Sequence, residues 1–202
     1  MKKVIYFFLG LFIMASCGSE ESLMVVNGDY FPTTEGSVWT YNGVSNFSVE
    51  MTGNEVSFSG ITFREINTTL NGQAASGYVR KEGGDYVLRG VLPGIPTDAN
   101  LTVLKANEEV GSTWSEELSV NGFDTEFRFT IEEIGTSEVV IGKLFKNVIK
   151  VRMDAFIDID FLGSANLAES QDIYFAENVG IIRIDQGVFG RSDIREFDVA
   201  AE

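Results

Sequence analysis

Apolar residues recur at every second position along much of this chain. Val151, Met153, Ala155, Ile157, Ile159 and Phe161 alternate with Arg152, Asp154, Asp158 and Asp160, the period of a strand with one packed face and one wet face. The scheme repeats with Phe123, Phe127, Phe129 and Ile131 on one side and Asp124, Glu126, Arg128 and Glu132 on the other. Gly53-Asn54, Gly83-Gly84, Asn121-Gly122, Ile141-Gly142-Lys143 and Gln186-Gly187 separate such runs and predict successive hairpin turns. No window beyond residue 30 carries a long 3.6-residue stripe, and GSANLAESQ, from 163, is the best place for a short turn or helix. The pattern predicts an all-β, antiparallel protein of about 10–12 strands. Long strands with one apolar face must wrap around something, which makes a strongly curved sheet, half-barrel or open barrel the expected architecture.

An internal echo divides the pattern in two. Gly36-Ser37-Val38-Trp39 returns as Gly111-Ser112-Thr113-Trp114, and each copy is followed by alternating strands and a Gly-x-x-Phe-x-x-aliphatic segment: Gly60, Phe63, Ile66, then Gly142, Phe145, Val148. Two related meander halves are expected, joined through Pro93-Gly94-Ile95-Pro96, where proline cannot continue a central strand.

The first residues follow a different pattern. Lys2 and Lys3 precede an apolar run from Val4 to Ala15, broken only by Gly10, with small residues Ala15 and Ser16 at its end. This is the charged, apolar and small-residue order of a secretory signal, shorter than the roughly 20 residues that span a bilayer. Cys17, the only cysteine, stands where cleavage would leave it first. Met14-Ala15-Ser16-Cys17 resembles the lipobox of bacterial lipoproteins, and the resemblance implies acylation of Cys17 and a membrane held through that N-terminal lipid. The expected organisation is a signal peptide at 1–16, a lipidated N-terminus and acidic tether at 17–28, and a single β domain at 29–202. Gly18, with Glu20 and Glu21 close behind the cysteine, resembles the sorting and export patterns of outer-membrane lipoproteins, implying the cell surface or the periplasmic face of that membrane.

Charge narrows the partners. The chain has 15 basic and 30 acidic residues, a net charge of −15; residues 1–16 hold two of the lysines and no acids, so the remainder carries −17. Nucleic acids draw proteins through clustered Lys and Arg, so none is expected as a partner. The chain has no histidine, which removes the usual base near neutral pH and the commonest transition-metal ligand. With Cys17 acylated, no thiolate is left for zinc or catalysis. Asp154, Asp158, Asp160 and Asp172 suggest calcium, but alternate strand residues diverge rather than converge on one ion, and "DIDFLG" departs from a calcium loop. Glu116-Glu117 and Glu132-Glu133 are adjacent pairs, whose members point to opposite faces and cannot act together as acid and base. No cofactor, metal or enzymatic activity is expected.

Three segments carry a family resemblance: Tyr30-Phe31-Pro32 with Gly36 and Trp39-Thr40-Tyr41; Gly142, Phe145, Asn147, Val148 and Val151; and Tyr174-Phe175-Ala176 with Val179-Gly180-Ile181-Ile182. Together they resemble surface lipoproteins of Bacteroidetes-type bacteria, which implies a lipidated β domain, related in shape to half-barrel lipid carriers. Trp39, Tyr41, Trp114 and Tyr174 are the candidate ligand contacts; their alternative role is to cover the sheet ends, polar edges on backbone partners. The expected function is a non-catalytic binding or structural module of the outer membrane, with a glycan, protein or lipid as partner. The alternative is a carrier that lines its interior with the many phenylalanines and holds a lipid or other hydrophobic ligand.

Overall fold

The computed structural model describes residues 28–91, 98–120, 122–159, 163–166 and 170–201, with backbone alone for 158–159 and 163–166. Cys17, the signal and the Pro93–Pro96 connection lie outside the described residues. The strands are β1 (Val38–Gly43), β2 (Phe47–Phe58), β3 (Ile61–Leu70), β4 (Gln73–Glu82), β5 (Asp85–Arg89), β6 (Asn100–Lys105), β7 (Thr113–Val120), β8 (Phe123–Val140), β9 (Lys143–Ile159), β10 (Gly163–Asn166), β11 (Gln171–Ala176), β12 (Gly180–Asp185) and β13 (Arg191–Asp198).

Twelve of them form one antiparallel path, β6-β5-β4-β3-β2-β1-β13-β12-β11-β9-β8-β7, while β10 hangs on β9. The path is a nearly closed barrel made of two six-strand meanders, clasped where β1 pairs with β13 and left unsealed between β6 and β7. Each Gly-Ser echo opens the first strand of a meander and binds the second strand in the same way. Gly36 N–H donates to Met51 O and Met51 N–H to Ser37 O; Gly111 N–H donates to Ile131 O and Ile131 N–H to Ser112 O.

Two of the expected local features differ. Gly53-Asn54 is an irregularity inside β2, where the register with β3 shifts between Met51 and Glu55; the extra residues bend a long strand instead of reversing it. Residues 163–166 are strand β10, paired with Phe156–Ile159 of β9, because an adjacent sheet edge satisfies their backbone groups better than an isolated turn.

Inward positions of both meanders meet in one core that includes Met51, Ile66, Leu101, Phe129, Ile131, Ile149, Ile173 and Phe175. The strap of residues 28–32 closes one end. Tyr30 N–H donates to the Tyr86 hydroxyl at 2.9 Å, Asp29 accepts from Asn178 N–H through its carbonyl, and its carboxylate pairs with Lys81 at 2.7 Å. Tyr30 and Phe31 are buried there, Phe31 packing 5.6 Å from Trp39. The turns at 59–60, 83–84, 141–142 and 177–179 share this strap end; those at 44–46, 71–72 and 186–190 stand at the far end.

Candidate functional site

The four aromatics singled out in the sequence do not converge. Trp39 is buried beside the strap and gives its indole N–H to Val179 O at 2.6 Å; Tyr41 is buried and gives its hydroxyl to Ile181 O at 2.8 Å. Burial pushes the Tyr41 phenol far above its ordinary range. Trp114 stacks on Phe129 and reaches across the seam to Thr102 O at 2.6 Å. All three rings have their polar edge on backbone.

Tyr174 is half-buried on the outer face of β11, with Lys150 5.7 Å from its ring on one side and Arg183 5.4 Å on the other. It joins two ionic groups. Lys150 bridges Glu132 at 2.6 Å and Asp172 at 2.9 Å, with Arg152 on Glu132 at 2.9 Å. Arg183, almost fully buried, holds Asp193 at 2.7 Å, Glu138, and the carbonyl of Val139 at 3.2 Å. Burial opposes the charge of Lys150, but its two carboxylate partners outweigh that and raise its pKa. Burial likewise works against ionised Glu132, and Lys150 and Arg152 overcome it, holding the carboxyl below the usual range. Burial and charge pairing give this strip a packing role: it fastens the bent end of the β8–β9 hairpin over β12.

Among the candidate calcium ligands, Asp154 accepts from Ser170 and Asp172 is paired with Lys150. The side chains of Asp158 and Asp160 lie outside the described residues. Glu116 accepts from Thr102 Oγ1 at 2.8 Å at the seam, whereas Glu117 stands exposed opposite Glu126.

A shallow, open groove of about 700 Å³ lies on the outer face at the far end, lined by Thr40, Asn42, Asn46, Ser48, Thr69 and Asn71 with Arg195 and Glu196. Its volume falls within the range of small-molecule sites, roughly 300–1,000 Å³. Alternation sends Thr40 and Asn42 of β1 outward while Trp39 and Tyr41 go in. A bulge builds its rim: β1 and β13 pair Thr40 with Glu196 but Tyr41 with Ile194, so Arg195 is the extra residue, and bulges re-aim side chains in this way. Tyr41 and Phe47, stacked with centroids 4.2 Å apart, edge the groove. On the adjoining turn, Val44 gives its N–H to Arg191 O.

Six neutral amides and hydroxyls can each donate and accept, and only Arg195 and Glu196 are charged. Such a lining suits a neutral, hydroxyl-rich ligand. Asn42, Asn46, Thr69 and Asn71 do not stand out in the sequence, because outward polar residues look alike in every strand. Asn42-Gly43 and Asn71-Gly72 at one end of neighbouring hairpins were the available signal. Compared with known protein families, curated proteins and solved structures, the chain matches none.

Proposed function

We propose that this protein is an outer-membrane lipoprotein, anchored through Cys17, whose β barrel is a non-catalytic binding module presenting the far-end groove to a short neutral glycan. The observation that carries the reading is the groove itself: hydroxyls and amides from β1, β2, β3 and their turns, gathered on the outer face of an otherwise acidic protein. Its position supports the anchored arrangement, since the strap end receives the chain from the tether and the groove opens at the opposite end. The chain's lack of histidine supports binding over catalysis.

Two measurements test it. Mass spectrometry of the protein from its own membrane is expected to find diacylglyceryl and amide-linked acyl mass on Cys17. A neutral-glycan array, followed by titration of the best binder, is expected to give saturable binding that falls at least tenfold in the Asn42→Ala/Asn71→Ala variant with its fold retained. Equal binding by that variant, or no binding to any neutral glycan, overturns the ligand assignment; an unmodified Cys17 overturns the anchor.

A further inference from the structure

The turn of the β8–β9 hairpin is built unlike the others. Residues Ser59-Gly60, Asn71-Gly72 and Gly83-Gly84 each supply two positive φ values to a two-residue turn, and each begins with a small residue. At the tip of β8–β9 the same position is Ile141, with φ 47°. A β-branched side chain in the left-handed region is a genuine outlier, and strain of this kind clusters at functional sites. The strained side chain is also in water: Val139, Ile141 and Leu144 are 57%, 57% and 59% exposed, and Val139 and Leu144 are cross-strand partners, so the three form one apolar point.

Its surroundings are cationic within a strongly acidic protein. Lys143 and Lys146 flank the point and are exposed. Of the acids nearby, Glu138 is paired with Arg183, while Glu177 accepts from Asn147 and keeps its charge, which leaves two lysines against one carboxylate; Lys143 rests 5.1 Å from the Phe197 ring. Glu177 also lies against Gly28, so the hairpin near its tip and the start of the strap meet on one side chain.

We propose that the Val139–Ile141–Leu144 tip dips into a lipid bilayer, with Lys143 and Lys146 on anionic headgroups. Apolar side chains with basic neighbours are the pattern of interfacial insertion, and each lysine near an anionic surface adds attraction. The contact orients the barrel: an acyl chain at Cys17 limits only distance from the membrane, whereas a second contact fixes which way the far end faces. That orienting role rests on the anchored reading above; the insertion itself does not.

The test uses the full processed protein in vesicles of phosphatidylethanolamine and phosphatidylglycerol, with an environment-sensitive NBD fluorophore on Leu144→Cys. The expected result is a blue-shifted emission quenched by spin-labelled lipid, weakened when Lys143→Glu and Lys146→Glu are added, while the same label on Phe189→Cys at the far end stays water-like. Water-like emission at position 144 overturns the proposal, as does a blue shift that grows with protein concentration without vesicles, which would assign the tip to a second copy. Cys17 acylation is read by mass in the same sample. A shifted label that the mass spectrum confines to position 144 of an unacylated chain supports insertion and removes the anchor; an acylated chain with an unshifted label does the reverse.

Discussion

Trp114 and Thr102 face each other across the seam, with the indole N–H of Trp114 2.6 Å from the carbonyl oxygen of Thr102 and the Thr102 hydroxyl 2.8 Å from Glu116. Side chains here replace the backbone ladder that joins every other neighbouring pair along the path. Exposed strand edges invite pairing with other chains, and an indole laid over the gap blocks that approach. Trp114→Phe keeps a ring on Phe129 but removes the donor. It is expected to cost about 1 kcal/mol in urea unfolding and to speed amide exchange in β6 and β7 above that in β1 and β13.

Arg183 is the least exposed cation of the outer face, holding Asp193 and Glu138 together. Arg183→Met leaves Glu138 without its cation and Asp193 with Arg191 alone, at 3.0 Å, so the cost is expected at about 2 kcal/mol, below the roughly 3–5 kcal/mol of breaking a fully buried pair. Calorimetry is expected to show the loss. Glu138→Gln/Arg183→Met, which removes the charge left without a cation, is expected to recover part of it.

Ile141→Asn places a residue that tolerates the left-handed region at the hairpin tip. The variant is expected to be more stable than the parent by about 1 kcal/mol in urea titration, while binding less to anionic vesicles. Gain in one measurement and loss in the other would separate local strain from membrane contact.

The phenols of Tyr30 and Tyr86 are pushed up to about 12, in both cases chiefly by burial, with Glu177 adding for Tyr30 and Asp29 for Tyr86. For a raised folded-state pKa, stability is intact below the free-phenol value of about 10 and declines as pH rises through about 12. Alkaline titration followed at the tyrosinate band is expected to show these rings ionising together with loss of the strap, and Tyr86→Phe to flatten that limb.

Glu132 has the opposite sign. Its folded-state pKa is lowered, so its contribution is full above the free Glu value of about 4.3 and is lost as pH falls through the folded value. Glu132→Gln is expected to flatten the acid limb of a stability curve while leaving the alkaline limb unchanged.

Alternation alone made the strands legible, and the Gly-Ser-x-Trp echo marked the start of both meanders, because period and turn chemistry are local. Gly53-Asn54 misled for the same reason: a turn pair and a bulge use the same glycine, and only the partner strand distinguishes them. The seam depends on how twist accumulates over twelve strands, which no window of sequence contains. The outward amides of Asn42 and Asn71 could be read as turn residues, but their convergence on one groove needed the register of β1, β2 and β3. Phe123 reads as inward by alternation yet is exposed, since β8 begins beyond the core that covers Phe127 and Phe129.

The β1–β13 pairing joins residues 38–43 to residues 192–198, whereas the other ladders link strands close together along the chain. β1 therefore lacks its outer neighbour until the eight residues Arg191–Asp198 reach it. A chain lacking Arg191–Asp198 would have nothing to latch, so one short strand holds the two meanders together.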